Sequence, residues 1–133
     1  MARPKITAEQ REDWRNLPLA NWNTRTVHAM VIDLNAEKFG IEKYVPLRGW
    51  AFEQGVIKRA LNDYGAAALR ETIERAFAEY KPGAQYPQLT AGFLIAYMLP
   101  RIMPQVLAEG QRKEKASAAV VSAMSAEEMA SWL

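Results

Sequence analysis

The stretch Thr90-Ala91-Gly92-Phe93-Leu94-Ile95-Ala96-Tyr97-Met98-Leu99-Pro100-Arg101-Ile102-Met103-Pro104 decides the fold. From Phe93 to Met103 it is the most apolar part of the chain. A helix that is apolar on most sides must be buried on most sides. The run is shorter than the roughly 20 apolar residues a bilayer span needs, and Pro100 and Arg101 interrupt it. It therefore reads as a core helix wrapped by others, with Thr90 as its N-cap. Pro100 and Pro104 lack the backbone donor and crowd the preceding turn, so they are expected to kink this helix or divide it in two. The second piece, Arg101 to Ala108, should end near Gly110.

The helices to wrap it are visible upstream. From about Ala66 to Tyr80, Leu69, Ile73, Ala76, Phe77 and Tyr80 recur at helical spacing. The opposite face carries Arg70–Glu74 and Glu71–Arg75 at i,i+4, a solvated pattern. Before it, Trp50 opens a helix in which Phe52, Val56, Ala60 and Tyr64 recur every four residues, with Ile57 and Leu61 widening the stripe and Gly65 ending it. Further upstream Val27, Met30, Val31 and Leu34 make one apolar stripe, capped by Asn23 or Thr24 and ended by Phe39-Gly40-Ile41, with Gly40 in the left-handed conformation. Thr7-Ala8-Glu9-Gln10 is a capping box for a short charged helix to about Arg15. Leu17-Pro18-Leu19 is an extended connector. Residues 42–49 leave room for one short strand, but a strand without a partner is not a sheet.

These stripes suffice for one core, so the expected fold is all-α: a compact array of about five short helices with a C-terminal tail. Residues 1–110 make the helical domain. Residues 111–133 are expected to form a charged linker or loosely attached helix, followed by a short amphipathic motif. In that motif Ser125-Ala126-Glu127-Glu128 is a second capping box, and Met129, Trp132 and Leu133 fall on one side.

Composition sets outer limits on function. The 133 residues fit one domain, and 50% hydrophobic with 24% charged is ordinary globular balance. Seventeen basic against fifteen acidic residues give a formal charge of +2, which excludes a polycation and an acidic nucleic-acid mimic but leaves room for a local basic patch. With no cysteine and one histidine, disulfides, thiolate metal sites, cysteine nucleophiles and multi-histidine metal centres are excluded. No cofactor or metal is expected. The N-terminal Met1-Ala2-Arg3-Pro4-Lys5 shows no secretory signal, so a cytoplasmic location without membrane contact is expected.

Candidate chemistry is sparse. His28, Asp33 and Glu37 lie on one helix and would be the only basis for a hydrolase; a lone histidine near an apolar stripe is more simply a core residue. No phosphate loop, nucleophile elbow or zinc-helix motif occurs. The expectation is a protein that is not an enzyme and has no catalytic residues. Trp14, Trp22, Tyr44, Trp50 and Tyr86 fall near or in connectors, where aromatics either plug gaps between short helices or stack on unpaired bases. Lys43 with Arg48, extended by Lys58 and Arg59, is the nearest basic cluster to them. Met129, Trp132 and Leu133 read as a partner-binding tip that folds onto a groove.

One resemblance adds to this. Gly55-Val56-Ile57-Lys58-Arg59-Ala60-Leu61-Asn62-Asp63-Tyr64-Gly65 is followed by Phe77-Ala78-Glu79-Tyr80, Tyr86-Pro87, Phe93-Leu94-Ile95-Ala96-Tyr97-Met98 and Arg101-Ile102-Met103-Pro104. This order, over residues 50–107, resembles the helical segment of replication-module proteins of phages and mobile elements, and at a distance the C-terminal helical domain of DnaD-like primosome proteins. Two departures stand out: no tryptophan follows Met103 where the DnaD pattern has one, and residues 1–49 carry no winged-helix pattern. The resemblance implies a DNA-replication accessory protein in a bacterial host, of helicase-loader type. Its partners would be the replicative helicase or another replication protein, and single-stranded DNA held by Lys58, Arg59 and Arg101, to which the basic cluster beside the aromatics adds Lys43 and Arg48. The alternative is a protein-interaction module that captures a host protein or assembles with itself through the C-terminal tip.

Overall fold

A computed structural model describes the backbone of residues 5–131 and the side chains of residues 5–120. The described residues form helices and no strand, an all-α array. Helix α1 spans Ala8–Glu12, α2 Thr24–Phe39, α3 Trp50–Tyr64, α4 Ala66–Glu79, α5 Ala91–Phe93 and α6 Leu99–Ser131. A single 3₁₀ turn, Leu19–Asn21, lies between α1 and α2.

The caps follow from local sequence. The Thr7 hydroxyl accepts from the Gln10 N–H, and the Gln10 side chain returns a bond to the Thr7 N–H. Asn23 and Thr26 form the same reciprocal pair at the start of α2. That helix stops at Gly40, whose φ of 68° is the left-handed conformation glycine adopts without strain. The Ile41 N–H then bonds back to the Asn35 carbonyl. Between α3 and α4 the chain turns through one residue, Gly65, at φ 84°.

The helix from α5 to α6 is where the prolines were expected to kink the helix or divide it. It does not divide. Between α5 and α6 the residues Leu94–Met98 take the wider π-helical turn. Pro100 cannot donate to the turn before it, and a widened turn immediately upstream accommodates the mismatch without breaking the rod. Pro104 lies inside α6. The end expected near Gly110 is absent as well. Backbone helix runs on through 111–125, the stretch expected as a linker or loosely attached helix, to Ser131. Of the expected tip, Trp132, Leu133 and the Met129 side chain lie outside the described residues.

The core sits between α2, α3, α4 and the α5–α6 rod. Val27, Met30, Ile57, Leu69, Ile73, Leu89, Leu94 and Met103 are fully buried at its centre. Phe39 stacks on Phe77 with ring centroids 5.8 Å apart. Trp14 and Trp22 plug the gap beside α4, each with its indole N–H bonded, to Asp33 and to the Leu17 carbonyl.

The buried face of α3 agrees with the expected one at Ile57 and Ala60 and departs from it at Phe52, Glu53 and Tyr64. Glu53, Ile57 and Ala60 are buried, whereas Phe52 and Tyr64 are 38% and 39% exposed. The helix is rotated so that a carboxylate points inward. Buried Asn35 is a second polar anchor: its Nδ2 donates to the Val31 and Leu89 carbonyls, and its Oδ1 accepts from the Leu89 N–H. It thereby replaces a strand ladder for the connector before α5. Asn35→Ala strands the buried Leu89 backbone groups. We expect a loss of about 2–4 kcal/mol of stability, read as a lower urea midpoint followed by tryptophan fluorescence.

Candidate nucleic-acid interface

Glu53 is fully buried and would be costly there unpaired. It is fully paired. His28 Nε2 lies 2.9 Å from Oε1, and the Tyr44 hydroxyl donates to the same oxygen at 2.5 Å. The N–H groups of Leu47 and Gly92 donate to Oε2 at 3.0 and 2.8 Å. The Tyr44 hydroxyl in turn accepts from the Ala91 N–H at 2.8 Å. One carboxylate therefore ties α2, the 41–49 connector and the start of α5 to α3. Gly92 is the close approach that permits it: a Cβ there would meet Leu47 at 3.0 Å and the Glu53 carboxylate at 3.3 Å.

Burial by itself would raise the Glu53 carboxyl. Hydrogen bonds from His28, Tyr44, Gly92 and Leu47 outweigh it and hold the group below its ordinary value of 4.5. Burial first, and then the Glu53 hydrogen bond, push the Tyr44 hydroxyl well above its usual range.

A second tie joins the two connectors. The Val45 N–H donates to Gln88 Oε1, and Gln88 Nε2 donates to the Val45 carbonyl. The Tyr80 hydroxyl donates to the Tyr86 carbonyl at 2.7 Å, closing the 81–90 loop onto α4. Between these fixed connectors lies an open groove of ≈ 1010 Å³. Lys43, Arg48 and Lys81 line it, along with Val45, Leu47, Tyr86, Pro87 and Phe93, and no carboxylate does. Tyr86 is 73% exposed and Phe93 41%. Arg48 sits at φ 58°, a left-handed conformation that costs a non-glycine residue about 1 kcal/mol or more. Its guanidinium lies 5.3 Å from the Phe52 ring centroid.

Some cations of the described residues are held by carboxylates; those of the groove are not, and neither are Lys5, Lys38, Lys58 and Arg59 elsewhere. Arg15, Arg25, Arg70, Arg75 and Arg101 are each paired with a glutamate. Among the described residues, Lys43, Arg48 and Lys81 have no such partner. Chemically, the groove offers uncompensated positive charge beside aromatic faces. A second open cavity, ≈ 850 Å³, has the opposite character, with Glu9, Glu12, Asp13 and Asp33 against Arg25 at its lining.

The sequence-predicted basic residues are thus divided. Lys43 and Arg48 come together in the groove. Lys58 and Arg59 are exposed on α3 and do not line it. Arg101 is held by Glu79 across α4 and α6. Sequence reasoning missed Lys81 and Phe93 as groove residues; the signal was the aromatic–proline loop around Tyr86 beside the apolar helix. It also missed Glu53, whose partners Tyr44 and His28 were each singled out alone. Of the expected plugs, Trp50 is 46% exposed, packed edge-on against His28 with centroids 5.1 Å apart.

Of the hydrolase grouping, His28 and Asp33 both line the second cavity and Glu37 does not. His28 bonds Glu53, while Asp33 accepts from Trp14 and Glu37 from Arg15. Among the described residues, no cluster of histidine and carboxylates could hold a metal ion.

One helix among the described residues, Ala91–Val120, is long and apolar enough to cross a membrane by length and composition, with a mean hydropathy of 1.3 over its most apolar stretch. Of that stretch 44% is buried inside the domain, as a core helix is. Compared with known proteins, the chain matches no family model, no curated protein and no solved structure.

Glu53 should matter most near neutral pH. Its folded-state carboxyl is depressed, so its contribution is present above 4.5 and is lost as pH falls through the lower folded value. Glu53→Gln should cost about 3 kcal/mol or more at neutral pH. The gap to the natural chain should shrink as pH is lowered below 4.5, as read by urea unfolding at neutral and acidic pH.

Proposed function

We propose that this protein is a non-enzymatic binding protein whose groove takes single-stranded DNA, as an accessory factor of phage or mobile-element replication. One observation carries the DNA reading: Lys43, Arg48 and Lys81 converge on a groove without a carboxylate, beside exposed Tyr86 and Phe93. Cations that follow a backbone and aromatics that accept base stacking are the two needs of single-strand binding. A duplex would have to be opened to reach aromatic faces set inside a groove, so the unpaired strand is the better fit. The replication context rests on the resemblance over residues 50–107. It brings the replicative helicase or another replication protein as partner.

Fluorescence anisotropy of a labelled oligothymidine tests this. Binding should appear at low salt and weaken as salt rises, with a log–log slope of about −0.7 per phosphate contacted. Tyr86→Ala should remove about 1–3 kcal/mol. Lys43→Ala with Arg48→Ala should flatten the salt slope. Lys58→Ala with Arg59→Ala should change little. Absence of binding at low salt overturns the proposal. Equal losses from the Lys58/Arg59 and Lys43/Arg48 variants would move the site off the groove.

A further inference from the structure

The second cavity, ≈ 850 Å³, is of a size that takes a small ligand. Its lining comes from α1, α2 and the start of α3. Four carboxylates, of Glu9, Glu12, Asp13 and Asp33, face one guanidinium, that of Arg25. Arg25 is already committed to Glu12 at 3.3 Å. Acidic residues alone do not make a site, but two other side chains meet them here.

The first is His28, which lines the cavity although only 6% of it is exposed. It makes its side-chain hydrogen bond through Nε2, 2.9 Å from Glu53 Oε1. Glu53 also accepts from Tyr44, Leu47 and Gly92. So held, it is a carboxylate with no proton to give. The proton of the pair therefore sits on His28 Nε2, and in the neutral ring Nδ1 is left as an acceptor. Nδ1 bonds no group among the described residues. No fully buried side-chain nitrogen or oxygen there lacks a partner, so Nδ1 belongs to the accessible part of the ring, at the cavity. The second is Trp50, 46% exposed, which lines the same cavity and packs edge-on against His28. An exposed indole attracts cations to its face.

Nδ1 and the carboxylates ask for N–H donors and positive charge, and the indole asks for a flat group. A guanidinium meets all three demands. We propose that this cavity binds an alkylguanidinium cation, stacked on Trp50 and donating to His28 Nδ1 and the surrounding carboxylates. Glu53 then serves two places at once, tying the connectors and fixing the acceptor nitrogen of His28. None of the residues lining the groove lines this cavity, and its ligand does not depend on DNA binding.

Nuclear magnetic resonance titration of the full chain with n-propylguanidinium tests the site. The Trp50 indole N–H peak, assigned by its loss in Trp50→Phe, should shift and saturate. The Trp22 indole, bonded to the Leu17 carbonyl, should stay in place. n-Butylammonium, equal in charge but not flat, should bind about threefold or more weaker. His28→Gln keeps an N–H for Glu53 and removes Nδ1, and should weaken binding about fivefold or more. Trp50→Leu should weaken it about threefold or more, read from the backbone peak of Gln54. N-acetylarginine amide distinguishes the source of the head group: binding tighter than n-propylguanidinium assigns the site to an arginine side chain, weaker binding to a free molecule. Absence of a saturable shift overturns the proposal. So does equal binding of n-butylammonium, or an affinity unchanged in either variant. The ammonium comparison uses the natural chain, so it decides even where a variant fails to fold.

Discussion

A carboxylate taken out of water must be given donors in full, and this requirement at Glu53 organises the site end of the domain. Two of its four donors are backbone N–H groups, from Leu47 and Gly92. A hydrophobic contact tolerates sliding, whereas a charge-assisted hydrogen bond fixes position and direction. The 41–49 connector and the start of α5 therefore meet α3 in one arrangement, although neither has regular structure long enough to hold itself. The groove lies between the 41–49 connector and the 81–90 loop that leads into α5. Its shape is thus determined by a residue that does not line it.

The same carboxylate explains where the sequence misleads. Helices α2 and α4 were legible because their buried positions are apolar at one spacing and their ends carry capping residues. On α3 the periodicity pointed at Phe52, Val56, Ala60 and Tyr64, since a pattern of apolar residues counts glutamate as outward-facing. The actual face is turned toward Glu53, Ile57 and Ala60, leaving Phe52 and Tyr64 near the surface. Asn35 is a parallel case, a polar residue drawn inward to satisfy the backbone of Leu89. The prolines, expected to kink this helix or divide it, do not divide it. Their local cost is real, but a widened turn and packing on both sides of the α5–α6 rod absorb it. Lys43 and Arg48 were legible as a basic pair near aromatics. Their convergence with Lys81 and Phe93 was not, because it depends on two connectors far apart in sequence being tied by Glu53 and Gln88.

Charge placement separates structural from free cations. Most arginines of the domain hold two elements together, as Arg75 does between Glu71 and Glu109, and Arg101 with Glu79. Exposed pairs of this kind contribute little each, yet they leave no charge to recruit an anion. The groove holds three cations without such partners and no carboxylate, the equally unpaired Lys38, Lys58 and Arg59 lie outside it, and the second cavity collects carboxylates. A chain of net charge +2 thus presents two regions of opposite sign. Net charge alone predicts weak and unselective attraction to polyanions; the segregation is what would direct one to a single place.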